Sequence, residues 1–217
     1  MLKPRRFLSV DTTLHLVLDP ELCEHSGGLV ETALAAVAGG AGILQLRAPN
    51  MKKRAMVEAA RALMKALAST GVPLIIDDHA DVMLAANADG LHIGQKDLTA
   101  KDARQLIGME KILGLSASSL AELLSAPLEL IDYYGVGPVF PTSSKADAGA
   151  AVGLEKLAEI VQAAQKPCVA IGGIHSINVA DVARTGVAGV AVISAVCGQA
   201  DVRVAATELI AAFRQGH

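Results

Sequence analysis

The chain has 217 residues, of which 52% are apolar and 2% aromatic, and a formal net charge of −3. That charge excludes a strongly basic nucleic-acid surface, and no apolar run reaches the roughly 18 to 20 residues of a membrane span. The cysteines, Cys23, Cys168 and Cys197, show no metal or redox spacing, and their odd, sparse count fits a reducing cytoplasm, with Cys168 a small buried hydrophobe in an apolar strand pattern.

The first residues, Met1-Leu2-Lys3-Pro4-Arg5-Arg6, are basic, with no apolar region of signal-peptide length behind them. Residues 1–12 read as an N-terminal extension. From residue 14 onward, short β-like runs alternate with amphipathic helical runs. Strand 14–18 precedes helix 28–38, strand 43–46 precedes helix 52–68, and strand 72–76 precedes helix 80–86. Strand 90–93 leads to helix 99–107, which opens on a Thr-x-x-Asp capping pattern at Thr99. Strand 111–115 precedes a helix starting at Ser119, and strand 130–135 precedes helix 154–164. Strands 167–171 and 189–193 lead to helices 177–184 and 202–213.

About eight βα units with short connections predict an α/β fold, a single (β/α)8 TIM barrel spanning residues 1–217. The strands are continuous apolar runs, as buried parallel strands are. An open doubly wound sheet is the alternative, but the first βα turn lacks Gly-x-Gly-x-x-Gly.

In such a barrel the loops after the strands build the active site. Segments before strands are ordinary turn chemistry: Thr70-Gly71, Ala88-Asp89 and Gln165-Lys166. Segments after strands are richer. They hold Gln45 and Arg47; Asp77-Asp78-His79; Gly94-Gln95-Lys96-Asp97; Ser116 and Ser118; Gly172-Gly173; and Ser194. After the sixth strand, Gly137-Pro138-Val139-Phe140-Pro141-Thr142-Ser143-Ser144-Lys145 starts rigid and ends polar. Its hydroxyls and ammonium suit phosphate oxygens. Taken singly, Asp77 or Asp78 caps a helix, Asp97 caps a turn, and His92 is a hydrogen-bonded structural residue. Taken together, carboxylates at the ends of adjacent strands, about 4.8 Å apart, need a cation or a proton, and Mg2+ suits them. Gly172-Gly173 allows phosphate close to the backbone, in the barrel quarter where such sites are common.

Asp77-Asp78, the run from Gly90 to Asp97, Gly114-Leu115-Ser116-Ala117, the run from Gly135 to Lys145, Ile171-Gly172-Gly173-Ile174 and Val192-Ile193-Ser194-Ala195 resemble the thiamine phosphate synthase (thiamine phosphate pyrophosphorylase) family. The match keeps its order from about residue 14 to 213. The resemblance implies a transferase that joins hydroxymethylpyrimidine pyrophosphate to hydroxyethylthiazole phosphate and releases pyrophosphate, through a pyrimidine cation captured by the thiazole nitrogen. It implies Mg2+ on Asp78 and Asp97. It puts Gln45, Arg47, Asp77, Ser116 and Lys145 on the pyrimidine pyrophosphate, with Arg47, Ser116 and Lys145 nearest the chemistry. It puts Thr142, Ser144, Gly173, Ile193 and Ser194 on the thiazole phosphate. The expected partners are small phosphorylated molecules, with neither nucleic acid nor membrane; a homo-oligomer stays open.

Two departures stand out. After the second strand the family has Arg-Glu-Lys or similar, and this chain has Arg47-Ala48-Pro49. The family's Asn before the first metal Asp is here Asp77, an anion facing a pyrophosphate unless metal or a base compensates. Two alternatives follow. One is a degenerate homologue that binds a thiazole phosphate without synthase activity. The other is a thiazole tautomerase, whose acid/base His would stand where this chain has Ser118. The long loop 139–152 reads as a lid.

Overall fold

The computed structural model describes Phe7, residues 10–142, Ser144 and residues 149–216. Eight parallel strands close into a barrel, each beside its sequence neighbour and the last paired with the first. They are β1 (Leu14–Leu18), β2 (Ile43–Leu46), β3 (Leu74–Asp77), β4 (Gly90–Ile93), β5 (Ile112–Ala117), β6 (Tyr133–Val136), β7 (Cys168–Ile171) and β8 (Gly189–Val192). Around them run α1 (Pro20–Glu24), α2 (Leu29–Ala38), α3 (Lys53–Leu67), α4 (Ala80–Ala86), α5 (Ala100–Ile107), α6 (Leu120–Ser125), α7 (Gly153–Ala163), α8 (Val179–Ala183) and α9 (Val202–Arg214). None of these helices is long and apolar enough to cross a membrane.

Local chemistry sets the boundaries. Helix α3 buries Met56, Ala60, Leu63 and Leu67, one stripe at helical spacing. The Thr99 side chain accepts from the Asp102 amide, as its capping pattern predicts. Helix α1 has no counterpart among the sequence-predicted elements. Its carrier is Asp19-Pro20: the Asp19 carboxylate accepts from the Glu21 and Leu22 amides, and Pro20 opens the first turn. Strand β6 starts at Tyr133 rather than residue 130, because Arg104 claims the residues before it. The buried guanidinium donates to the Leu130, Gly108 and Lys111 carbonyls and to Asp132 Oδ2 at 2.9 Å. Asp132 Oδ2 also accepts from the Leu113 amide, tying β5 to the foot of β6.

The strands alternate more than their apolar composition suggests. Leu14, Leu16, Leu18, Leu44 and Leu46 face the helices in the main core. Val17, Ile43, Ile75, Ile112, Tyr133, Val169 and Ala191 form a second cluster inside the barrel. Phe7 closes this cluster from below, its ring stacked on Tyr133 at 5.0 Å. The same inward-facing series carries Gln45, Asp77, His92 and Ser116, in register with Val17, His92, Gly114 and Gly135. Polar side chains therefore cluster inside the upper barrel above an apolar plug.

Two glycines make that cluster fit. A Cβ at Gly114 would overlap the Tyr133 ring and His92 Nδ1, and one at Gly135 would lie 2.9 Å from His92 Cε1. Overpacking a well-filled interior costs about 1–3 kcal/mol. Gly114→Ala is therefore expected to lower the melting temperature by about 2–10 °C and to reduce activity by displacing His92. An unchanged thermal melt would show that the interior has room the packing denies.

The thiols are free and buried. Cys23 and Cys197 lie 3.8 Å apart, sulfur to sulfur, and burial pushes Cys168 up to about 12.

Candidate active site

One cavity opens at the C-terminal end of the barrel, the end the sequence marks as polar. Strand β2 and its turn supply Gln45 and Arg47, β3 and its turn supply Asp77 and Asp78, and β5 supplies Ser116. The β6 loop brings Thr142 and Ser144, the β7 loop Gly173, and the end of β8 Ile193 and Ser194. Lys145 lies outside the described residues, as do residues 143 and 146–148 of loop 139–152.

The β2–β4 side is acidic and tightly wired. Arg47 Nε stands 3.4 Å from Asp77 Oδ2, with both side chains mostly shielded. The base that Asp77 requires is thus the neighbouring arginine. Asp78 sits at φ 58°, in the left-handed region, which Asp tolerates better than most residues. Its amide donates to the His92 carbonyl, extending the β3–β4 pairing by one residue. This bend turns Asp78 out of the strand path and onto the cavity wall. Asp97 does not line the cavity. It is exposed, and its Oδ2 accepts from the Gly94 amide at 2.8 Å, closing the turn after β4. Its charge still acts on His79, the neighbour of Asp78. Lys53 reaches the same rim, with Nζ 3.0 Å from Asp81 Oδ1. Burial and the Lys53 charge hold His79 below its ordinary value. Lys52 takes the N-cap position of α3 without a side-chain capping bond, and Lys53 opens the helix.

The β6–β8 side is built from backbone and hydroxyls. The Val139 and Phe140 amides donate to the Ile171 and Gly172 carbonyls, so the loop after β6 runs on beside β7. The Val152 and Gly153 amides donate back to the Pro138 and Val139 carbonyls and tie the loop's ends together. Gly172 and Gly173 have φ of 101° and 65°, and a Cβ on either would press into Pro138 or Phe140. The pair is glycine because this close crossing admits nothing larger. It sets Gly173 beside the loop that carries Thr142, whose Oγ1 accepts from the Ser144 amide.

The floor holds residues that the strand-end reading passed over. His92 Nδ1 lies 3.0 Å from Tyr133 Oη, and its Nε2 lies 2.9 Å from Ser116 Oγ. Burial, reinforced by the Asp77 and Asp132 charges, raises Tyr133 well above its usual value and keeps its proton on oxygen. A Tyr133 hydroxyl that donates to Nδ1 would put the ring proton on Nε2, facing Ser116 Oγ. The Ser116 hydroxyl would then have its own proton to direct into the cavity. His92 is hydrogen-bonded, as its sequence setting suggests, and it also lines the site.

His15, in β1, is buried and lines the same cavity. Burial, helped by nearby His92, pushes it down to about 3. The folded protein keeps His15 neutral, whereas the unfolded chain protonates it below about pH 6.5. This group therefore costs nothing above pH 6.5, and below it stability falls by about 1.4 kcal/mol per pH unit toward pH 3. Urea midpoints are expected to drop between pH 6.5 and 4, less steeply in His15→Leu. Parallel slopes in the two proteins would contradict this.

A closed barrel whose cavity opens at the C-terminal end of the strands, with carboxylates on one side and hydroxyls and glycines on the other, defines a (β/α)8 barrel with a small-molecule site in the position usual for enzymes of this fold. Comparison with known proteins narrows the class. The model of the family described as "Thiamine monophosphate synthase" matches residues 14–196. The thiamine-phosphate synthase of Xanthobacter autotrophicus is 50% identical over 202 residues, covering 93% of this chain and 95% of that one. That of Laribacter hongkongensis is 46% identical over the same shares. The solved thiamine phosphate pyrophosphorylase from Pyrococcus furiosus superposes with a TM-score of 0.85 at 36% identity, covering 96% of this chain and 98% of that one. The chain belongs to the thiamine monophosphate synthase family and is a transferase of thiamine biosynthesis.

Proposed function

We propose that this chain forms thiamine phosphate from hydroxymethylpyrimidine pyrophosphate and hydroxyethylthiazole phosphate, releasing pyrophosphate. The observation that carries the reading is the Arg47–Asp77 pair. It supplies a base for the anion that would otherwise oppose pyrophosphate, and so removes the main reason to read the site as degenerate.

The reaction breaks the bond between the pyrimidine methylene carbon and the pyrophosphate oxygen, and the electron pair leaves on oxygen. The thiazole nitrogen lone pair then forms the new C–N bond. Arg47 and Ser116 donate to the departing pyrophosphate, whose charge grows as the bond breaks. Gln45 orients the pyrimidine. Thr142, Ser144 and the backbone at Gly173, Ile193 and Ser194 hold the thiazole and its phosphate. Lys145, named by the family resemblance, adds a cation on the leaving-group side.

The donor set at Asp78 and Asp97 is oxygen only, and among the described residues no group of three His, Cys, Asp or Glu could cage a metal. Two carboxylates plus substrate phosphate oxygens suit Mg2+. When bound, Mg2+ supplies charge neutralisation and a template for the pyrophosphate. Loop 139–152, tied at its ends, serves as a lid. The free thiols support a cytoplasmic setting.

Calorimetry separates this reading from a binding-only homologue. Binding of hydroxymethylpyrimidine pyrophosphate is expected to require Mg2+, and hydroxyethylthiazole phosphate is expected to bind alongside it. Thiazole phosphate binding alone, with none of the pyrimidine pyrophosphate at millimolar Mg2+, would favour the degenerate reading.

A further inference from the structure

Among the described residues, the buried side-chain nitrogens and oxygens without a hydrogen-bond partner are both ring nitrogens of His15, Nε2 of Gln45, and the Thr32 hydroxyl. Thr32 lies apart, beside Cys23. The other three belong to two side chains that line the active-site cavity from adjacent strands, β1 and β2. The remaining polar groups of the floor are engaged, since Tyr133, His92 and Ser116 form one continuous chain. A buried polar group left unpaired is costly to the fold, and such a cost concentrated in a functional cavity marks a group reserved for a ligand.

We propose that His15 is a specificity-determining residue that, with Gln45, reads the hydrogen-bonding edge of an amino-substituted nitrogen heterocycle seated in the barrel floor. The inference rests on the proposed synthase reaction, in which that heterocycle is the aminopyrimidine. His15 is 2% exposed and its ring lies 6.0 Å from that of Tyr133, deep in the barrel. Its imidazole is neutral in the folded protein, so it offers one donor and one acceptor. Gln45 Nε2 adds a donor. An aminopyrimidine presents the complement, ring-nitrogen acceptors beside an exocyclic amino donor. An imidazolium would have no acceptor for that amino group.

The test uses the full chain, Mg2+, and two probes: hydroxymethylpyrimidine pyrophosphate and its analogue with hydrogen in place of the ring amino group. His15→Phe is expected to raise KM for the pyrimidine pyrophosphate by about tenfold or more, and to leave KM for the thiazole phosphate unchanged. The wild type is expected to reject the deamino analogue, and His15→Phe to lose much of that discrimination. His15→Gln, which keeps a donor and an acceptor, is expected to retain most of the affinity. His15→Phe should melt no lower than the wild type, because it removes two unsatisfied nitrogens from the interior. Unchanged KM and unchanged discrimination in an active, folded His15→Phe would overturn the inference, as would a loss spread equally over both substrates. A wild type that makes no thiamine phosphate at all would instead overturn the synthase reading on which it rests. In that event, binding of the pyrimidine pyrophosphate to wild type and variants still reads the role of His15 directly.

Discussion

Asp78→Asn is expected to lower kcat by about a thousandfold at saturating substrates and millimolar Mg2+. Asn is the informative replacement. Asp78 occupies a left-handed backbone conformation at φ 58°, which Asn tolerates and most residues do not. The variant therefore keeps the bend after β3 and the Asp78 amide bond to His92 while it removes the carboxylate charge. A divalent ion at a leaving pyrophosphate supplies several kcal/mol of charge stabilisation; losing about 4 kcal/mol corresponds to that thousandfold. Asp97→Asn tests the other carboxylate. Asp97 also holds the Gly94 amide, so its variant is expected to raise the Mg2+ concentration giving half activity and to lower the melting temperature slightly. An Asp78→Asn enzyme with wild-type kcat and an unaltered Mg2+ titration would remove Asp78 from the metal site.

Arg47→Ala carries the second large effect, and its size depends on Asp77. Loss of a charge-assisted contact to the pyrophosphate costs about 1.5–3 kcal/mol, roughly ten- to a hundredfold in KM. The same change strips the guanidinium from Asp77, now 3.4 Å from Nε, and leaves that carboxylate facing the substrate's phosphates. KM for the pyrimidine pyrophosphate is therefore expected to rise about a hundredfold or more. Asp77→Asn moves the other way. It removes an anion and frees Arg47 for the substrate, and is expected to tighten KM by about 1 kcal/mol, roughly fivefold. The double variant should bind better than Arg47→Ala alone. Additive effects in this cycle would show that the two side chains act independently.

How far the sequence reaches is clearest at these residues. The barrel is legible because each βα unit announces itself by an apolar run and a helical stripe, and Gly172-Gly173 and Thr142 stand where turn chemistry changes character. Helix α1 is missed because five residues carry no periodicity, although Asp19-Pro20 is a readable start. The Arg47–Asp77 contact joins two strands and needs the register of β2 against β3 to be seen. His15 is hidden for a different reason. It lies inside a strand among leucines, where only the inward alternation of β1 shows that it faces a cavity rather than the helices. Had the strands been read as two-faced, a lone histidine in Leu14–Leu18 would have been the signal.

The central claim is tested most directly by incubating the purified chain with both substrates and quantifying products with and without Mg2+. The site predicts thiamine phosphate and pyrophosphate in equal amounts, formed only when the metal is present. No thiamine phosphate at any Mg2+ concentration, from a folded protein that still binds the thiazole phosphate, would contradict it.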